Sequence, residues 1–185
     1  MTTIVAALKK WEEENDYPAE EAEEVGLQFQ IPPIEQMDGN LSKLTKCRKL
    51  SLSTNCIGKI SGLEKMENLV ILSLARNNIS SLAGLEAVGG TLEQLWMSYN
   101  DLQQLKELTE LPKLKILYIT HNRIRSWDEV ARIAAHGSLQ EVSFRGNPLV
   151  EDLEEDEDYF DKMIPRLPNL KKLDGEPIVR LEGEF

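Results

Sequence analysis

Leu72-Ser73-Leu74-Ala75-Arg76-Asn77 is one of five short phrases of this chain that share one pattern. Each has an apolar residue, a variable residue, a second apolar residue, two variable residues and an asparagine. Successive asparagines are separated by 22, 23, 22 and 25 residues. The alternation places both apolar side chains on one side of a short strand, and the spacing of three that follows suits a tight helical return. The five phrases occupy residues 50–55, 72–77, 95–100, 117–122 and 142–147.

The repeat length and the recurring asparagine predict a leucine-rich-repeat solenoid. A single unit cannot cover its own apolar side, so neighbouring units must stack on it. We expect an α/β fold with a parallel sheet on the concave face and short helices on the convex face. The asparagine amide can bond backbone groups that water cannot reach, so we expect the five asparagines to be buried and structural.

A helix is predicted ahead of the repeats. Thr3 can cap it, and the apolar residues that follow recur at helical spacing, as Ile4, Leu8 and Trp11. The end coil of a solenoid needs its apolar face covered, so we expect residues 1–26 to form a helical N-terminal lid.

A degenerate repeat precedes the first asparagine phrase. The spacing places Leu27 one period before Leu50. It also places Phe29 one period before Leu52, with Pro32 where the asparagine would stand. The solenoid is therefore predicted to have five to six repeats.

The chain is predicted to be one leucine-rich-repeat domain over residues 1–185, with the repeats in residues 27–150. An amphipathic stretch that includes Tyr159, Met163 and Leu167 follows them. We expect residues 151–185 to form a C-terminal cap and a short tail.

The composition fits one compact domain, because 41% of the 185 residues are hydrophobic. No apolar run approaches the roughly 20 residues of a membrane helix, and the start lacks the basic-then-apolar order of a secretory signal. We therefore expect no membrane partner. Cys47 and Cys56 are the only cysteines and should point in different directions. Free thiols and a cytoplasmic location are the expectation.

The formal net charge is −11, and acidic residues concentrate near both ends, with one run at 151–158. Such a surface repels polyphosphates, so we expect no nucleic-acid partner and favour a basic one. We interpret the acidic runs as residues that keep the caps and loops solvated. The alternative is that they take part in docking a partner.

The sequence contains no recognisable catalytic or metal-binding constellation. His121 and His136 are the only histidines. A glycine-rich phosphate loop, a nucleophile elbow and a His/Cys cluster at metal spacing are all missing from the sequence. We expect neither an enzyme nor a metal or other cofactor.

The most informative residues are those that point away from the core on the strands. Equivalent positions of stacked coils lie about 4.8 Å apart, so side chains from different repeats converge. The predicted concave face has an apolar, aromatic centre and a charged rim, as protein interfaces do. The centre comprises Ile71, Trp96, Tyr99, Ile116 and Tyr118, and the rim comprises Arg76, His121, Glu141 and Arg145.

An alternative interpretation is that Trp96 and Tyr118 merely stack as a cross-strand pair. We favour an interface, because an open tryptophan beside Ile116 and Tyr118 leaves an apolar patch that a monomer ordinarily covers. Trp127 takes a core position of its repeat and is predicted to be buried.

Three stretches are more specific than the common repeat: 31–35 (Ile-Pro-Pro-Ile-Glu), 95–100 (Leu-Trp-Met-Ser-Tyr-Asn) and 166–175 (Arg-Leu-Pro-Asn-Leu-Lys-Lys-Leu-Asp-Gly). Together they closely resemble the leucine-rich-repeat light chains of axonemal outer-arm dynein. The resemblance runs through nearly the whole chain.

This resemblance implies a non-catalytic subunit of the outer dynein arm, in the cytoplasm and in the axonemal cytoskeleton of cilia and flagella. Its implied partner is a dynein heavy chain, bound at the microtubule-binding tip of the stalk, where the light chain adjusts how the motor grips the microtubule. Tubulin is a further candidate partner, and the isolated chain is expected to be a monomer.

Two other functions remain open at this point. A cytosolic scaffold or phosphatase regulatory subunit would need only the same concave face. An RNA-associated repeat protein is disfavoured by the negative charge.

Overall fold

The sheet of the solenoid is built from one short strand per coil. In the computed structural model, which describes residues 1–153 and 158–179, seven strands run parallel in chain order and an eighth pairs antiparallel at the end. The predicted leucine-rich-repeat architecture is confirmed. The strands are β1 (Glu24–Gly26), β2 (Lys49–Ser51), β3 (Ile71–Ser73), β4 (Gln94–Trp96), β5 (Ile116–Tyr118), β6 (Glu141–Ser143), β7 (Lys172–Leu173) and β8 (Glu176–Pro177).

The returns between strands lie on the convex side and are mostly short 3₁₀ helices, which suit a repeat near 22 residues. The repeat between Asn122 and Asn147 spans 25 residues, and there the return is an α-helix that the Ser126 hydroxyl caps by accepting from the Asp128 amide (3.1 Å). The α-helices are α1 (Ile4–Asn15), α2 (Trp127–Ala135), α3 (Pro148–Glu151) and α4 (Tyr159–Met163); the 3₁₀ helices are Ala19–Glu21, Gly39–Lys43, Leu85–Val88, Lys106–Glu110 and Ile164–Arg166.

One continuous core lies between the sheet and the convex returns. The middle residue of each strand points into it, and stacking the coils removes these side chains from water, which is the main stabilising contribution of such a fold. The equivalent residues Leu50, Leu72, Leu95, Leu117 and Val142 are all fully buried.

The recurring asparagine links each coil to the one before it. The Asn77 amide oxygen accepts from the Ile57 backbone N–H (2.9 Å). Its amide nitrogen donates to the carbonyl of Leu52 in the preceding coil (3.1 Å) and of Leu74 in its own coil (3.0 Å). The predicted structural role is confirmed, since the same pattern recurs and all five amides are buried: Asn55, Asn77, Asn100, Asn122 and Asn147.

Both ends of the core are covered by helices, as the sequence predicts. The Thr3 hydroxyl accepts from the Ala6 amide (3.2 Å) at the start of α1, and Ile4, the first residue of this helix, is fully buried. At the other end Asp158 caps α4, and Met163 is fully buried. Residues 154–157 of the predicted acidic run and residues 180–185 of the predicted tail lie outside the described residues.

The predicted register of the first repeat is wrong by two residues. Val25, rather than Leu27, pairs with Leu50, and the Leu27 amide continues the ladder by donating to the Ser51 carbonyl. Phe29, predicted as core, is 65% exposed. The sheet therefore begins at Glu24, within the segment predicted as the lid.

The reason for this shift is a longer loop after the first strand. Ile34 and Ile57 are equivalent, because each donates its amide to the asparagine of the next coil (2.9 Å in both cases). Leu27 is seven residues before Ile34, whereas Leu52 is five residues before Ile57. The two additional residues fall in the segment that contains Pro32, so this proline does not stand at the asparagine position.

Trp127 is only partly buried, so its prediction as a core residue is wrong. It is the first residue of α2 and packs against the core. The Arg166 guanidinium lies over the ring, 4.7 Å from its centroid. This tryptophan therefore joins the last full repeat to the C-terminal cap.

The two cysteines are free and lie in different surroundings, as predicted. Cys56 is exposed. Burial raises the pKa of the Cys47 thiol to about 11, so this side chain stays protonated at neutral pH.

We predict that Asn77→Ala lowers the free energy of unfolding by about 2 kcal/mol, because it leaves the buried Ile57 N–H without its acceptor and removes one of the two asparagine donors from each of the Leu52 and Leu74 carbonyls. The neighbouring Asn78→Ala is the control, since Asn78 is exposed and should change stability by less than about 0.5 kcal/mol. Urea denaturation followed by circular dichroism measures both. Equal, small effects of the two substitutions would show that the amide does not join the coils.

A candidate binding face on the concave sheet

The parallel register brings most of the predicted site residues to the concave face. Ile71 and Ile116 lie in one column of side chains, with Gln94 between them and Glu141 after them. Trp96 and Tyr118 are neighbours in a second column. Each of these side chains is half-buried in the free protein.

The two aromatic rings of the centre are in contact. The ring centroids of Trp96 and Tyr118 are 6.1 Å apart, with the planes tilted by 31°. This is a favourable aromatic pair, yet the contact leaves both rings partly open to solvent. The contact between the two rings therefore orients them but leaves the apolar patch that they form partly exposed.

Tyr118 is held in place by residues of the following strands, β6 and β7. Its hydroxyl donates to Glu141 Oε1 (2.8 Å), and Glu141 Oε2 lies 3.6 Å from Lys172 Nζ. Burial and the Glu141 carboxylate raise the pKa of Tyr118, so the ring carries a neutral phenol at physiological pH. Lys172 comes from the cap outside the regular repeats, and repeat spacing does not predict its place here.

A second row runs along the edge of the sheet, where each strand turns into its asparagine loop. The Arg76 guanidinium carbon lies 4.2 Å from the centroid of the Tyr99 ring, and the Tyr99 and His121 rings stack at 4.4 Å. The residue before each asparagine adopts positive φ, which carries its side chain to this edge. The φ values are 56° at Thr54, 56° at Arg76, 60° at Tyr99, 52° at His121 and 74° at Gly146.

Tyr99 therefore lies in the edge row and not in the centre, where it was predicted. Its ring is 43% exposed between a cationic side chain and an imidazole. Gly146 ends the row, because a Cβ at this position would lie 2.4 Å from His121 Nδ1. A side chain at position 146 would therefore have to displace the His121 ring.

Arg145 belongs to the C-terminal cap. Its guanidinium lies 3.6 Å from Asp174 Oδ2 and 3.9 Å from Glu176 Oε1, and 5.5 Å from the centroid of the Phe160 ring. Asp174 also accepts from the Phe144 amide (2.7 Å). Arg145 marks the end of the face, and its charge is largely matched by the two carboxylates.

The N-terminal end of the face contains a cavity that the repeat pattern does not predict. Its volume is about 410 Å³, and Trp11 of α1 lines it together with Trp96 of β4. The indole nitrogen of Trp96 is buried and makes no hydrogen bond with any described residue. Trp11 was predicted only as part of the lid, and nothing in its helical spacing indicates which strands it meets.

Two features are absent from residues 1–153 and 158–179. These residues contain no cluster of three His, Cys, Asp or Glu side chains with the geometry to hold a metal ion. Within the same residues, no helix has both the length and the apolar character to cross a membrane.

Family models match two parts of the chain. Residues 45–87 match the model "Leucine Rich repeats (2 copies)", and residues 90–175 match the model "NXF1/2/3/5 leucine-rich repeat domain". Among solved structures, a leucine-rich-repeat protein of Leptospira interrogans superimposes with a TM-score of 0.64 at 22% identity, covering 84% of this chain and 39% of that one. These matches establish the fold.

Named relatives match this chain over almost its full length. "Dynein axonemal light chain 1" of Danio rerio is 51% identical over 183 residues, which is 99% of this chain and 95% of the relative. The protein of the same name in Chlamydomonas reinhardtii is 47% identical over 180 residues, which is 96% of this chain and 91% of the relative. With half of its residues shared over nearly its whole length, the chain belongs to the dynein axonemal light chain 1 family of leucine-rich-repeat proteins.

Proposed function

We propose that this chain is a non-catalytic subunit of the axonemal outer dynein arm that binds a motor heavy chain through its concave face. Membership of the light chain family supports the dynein context. The observation that carries the proposal is the open pair of Trp96 and Tyr118 in the middle of the sheet. Tryptophan and tyrosine are the side chains most often found at the energetic centre of protein interfaces.

Strand pairing holds the backbone of the face in the free protein, with parallel neighbours on both sides of β4 and β5. The Tyr118 side chain is held by Glu141. Side chains that are already ordered lose little entropy on binding, so more of the contact energy appears as affinity. Burial of an anchor such as Trp96 would contribute about 2 to 4 kcal/mol.

The heavy-chain region that we propose as the docking site is the microtubule-binding tip of the stalk. There the light chain would act through its charge, because it carries a formal net charge of −11 and the tubulin surface is also acidic. Repulsion between like charges lowers the affinity of the stalk tip for the microtubule. At physiological salt this repulsion extends over a Debye length of about 8 Å.

We predict that Trp96→Ala weakens binding to a recombinant outer-arm heavy-chain stalk tip by about 30- to 700-fold, which corresponds to the loss of about 2 to 4 kcal/mol. Tyr118→Ala is expected to weaken it in the same direction. Arg132→Ala is the control, because Arg132 is exposed on the convex helix α2, outside the concave face. Isothermal titration calorimetry measures the three affinities.

No binding by the parent chain would contradict the dynein proposal, and selective binding to a phosphatase catalytic subunit would favour the scaffold function. Binding that survives both Trp96→Ala and Tyr118→Ala would place the partner on another surface. Circular dichroism of each variant must first show the parent fold.

We also predict that adding the chain lowers the microtubule affinity of the stalk tip at low salt, and that the effect shrinks as salt is added, because ions screen like charges. Microtubule co-sedimentation of the stalk tip, with and without the chain, over a series of salt concentrations measures this. An effect that does not change with salt would rule out charge repulsion as its cause.

A further inference from the structure

The cavity beside Trp96 arises from a change of side-chain size along one column of the sheet. From β1 to β5 the column contains Gly26, Ser51, Ser73, Trp96 and Tyr118. Three small residues are thus followed by two large aromatic ones. The step from Ser73 to Trp96 leaves a depression whose floor is made of small side chains.

Helix α1 closes the other end of this depression. Trp11 and Asn15 lie one turn apart on α1, and both line the cavity of about 410 Å³. Ile71 contributes a further apolar side chain. We call this cavity the tryptophan pocket: it is lined by Trp11, Asn15, Ile71 and Trp96 over the floor of Gly26, Ser51 and Ser73.

Trp96, which lines the pocket, has a buried indole nitrogen without a hydrogen-bond acceptor among residues 1–153 and 158–179. A buried donor without an acceptor is unfavourable. A small turn of the indole toward the carbonyl oxygen of a bound chain would remove this penalty.

Residues 12–24, which include the end of α1 and the start of β1, contain eight acidic residues and no basic one. Within the pocket itself, Glu24 pairs with Lys49 (3.0 Å). The carbonyl end of α1 lies at Asn15, and the last turn of this helix contains no basic residue. Such a helix end attracts cations. The segment after it contains four glutamates. Besides Glu24, Glu21 pairs with a lysine, Lys46, and Glu23 forms no ion pair with a described residue. Glu20 lines a separate cavity with Lys9 and Lys43.

We infer that the tryptophan pocket takes one bulky apolar side chain of a protein partner whose adjacent residues are lysine or arginine. The apolar side chain packs between the tryptophans, a backbone carbonyl next to it accepts from the Trp96 indole, and the basic neighbours lie against the acidic segment. This inference rests on the proposed function, because it states which chemistry the heavy chain presents to this end of the face.

Short peptides test the chemistry of the pocket without the heavy chain. Acetyl-Lys-Phe-Lys-amide, titrated at millimolar concentration, should shift the Trp11 and Trp96 indole N–H signals in a nitrogen–proton correlation spectrum. Trp127 is the internal control, because it lies at the start of α2 and its signal should stay in place. Acetyl-Glu-Phe-Glu-amide should cause no shift. Equal shifts with both peptides, or no shift with either, would overturn the inference.

Filling the pocket gives the second arm of the test. Ser51→Phe adds a ring on the floor, whereas Ser80→Phe adds the same ring at an exposed position after β3, outside the pocket. Ser51→Phe should abolish the peptide shifts and weaken heavy-chain binding by about ten-fold or more, and Ser80→Phe should change neither. Thermal denaturation of both variants checks that the fold is kept.

The heavy-chain results separate the two proposals. If the parent chain binds the stalk tip and Tyr118→Ala weakens binding but Ser51→Phe does not, the pocket inference fails and the proposed function stands. If the stalk tip does not bind while the Lys-Phe-Lys peptide still shifts Trp96, the dynein proposal fails and the pocket keeps its assigned chemistry for another partner.

Discussion

The asparagine amide that joins neighbouring coils is the interaction on which the rest of this structure depends. In each repeat it bonds the backbone of its own coil and of the preceding coil, as Asn77 does with Leu74, Leu52 and Ile57. These bonds occupy backbone groups that water cannot reach, where a missing partner is costly. They also hold each coil at one fixed position relative to the next. Equivalent residues therefore align in columns, and the concave face is the product of that alignment.

Alignment turns residues that are distant in sequence into one surface. Trp96 and Tyr118 are 22 residues apart in the chain, yet they are direct neighbours on β4 and β5. The same alignment produces the edge row of Arg76, Tyr99 and His121. Because the columns are set by backbone bonds in the core, the face needs little rearrangement to bind. This is the physical basis of our proposal that the face binds a motor heavy chain.

Repeat spacing predicted the columns well, because neighbouring strands pair at equivalent positions of successive repeats. The prediction failed where a residue or segment departs from the repeat. Phe29 was misplaced because the loop after β1 is longer than in later repeats. Tyr99 was misplaced because positive φ carries its side chain to the edge of the sheet, a backbone effect that the apolar pattern does not contain. Trp11 was missed as part of the face because it lies outside the repeats, and its spacing on α1 describes a helix without saying which strands that helix meets.

In our proposal, different parts of the molecule have different tasks: the buried asparagines hold the coils together, the aromatic centre binds a heavy chain, and the acidic surface weakens microtubule binding. The central claim is that the concave aromatic face is where the motor chain binds. The most direct measurement is a high-resolution structure of this chain with an outer-arm heavy-chain stalk tip. The account predicts that the heavy chain covers Trp96 and Tyr118 and leaves the convex helix α2 open to solvent. A heavy chain bound across α2, with both aromatic rings still exposed, would contradict it.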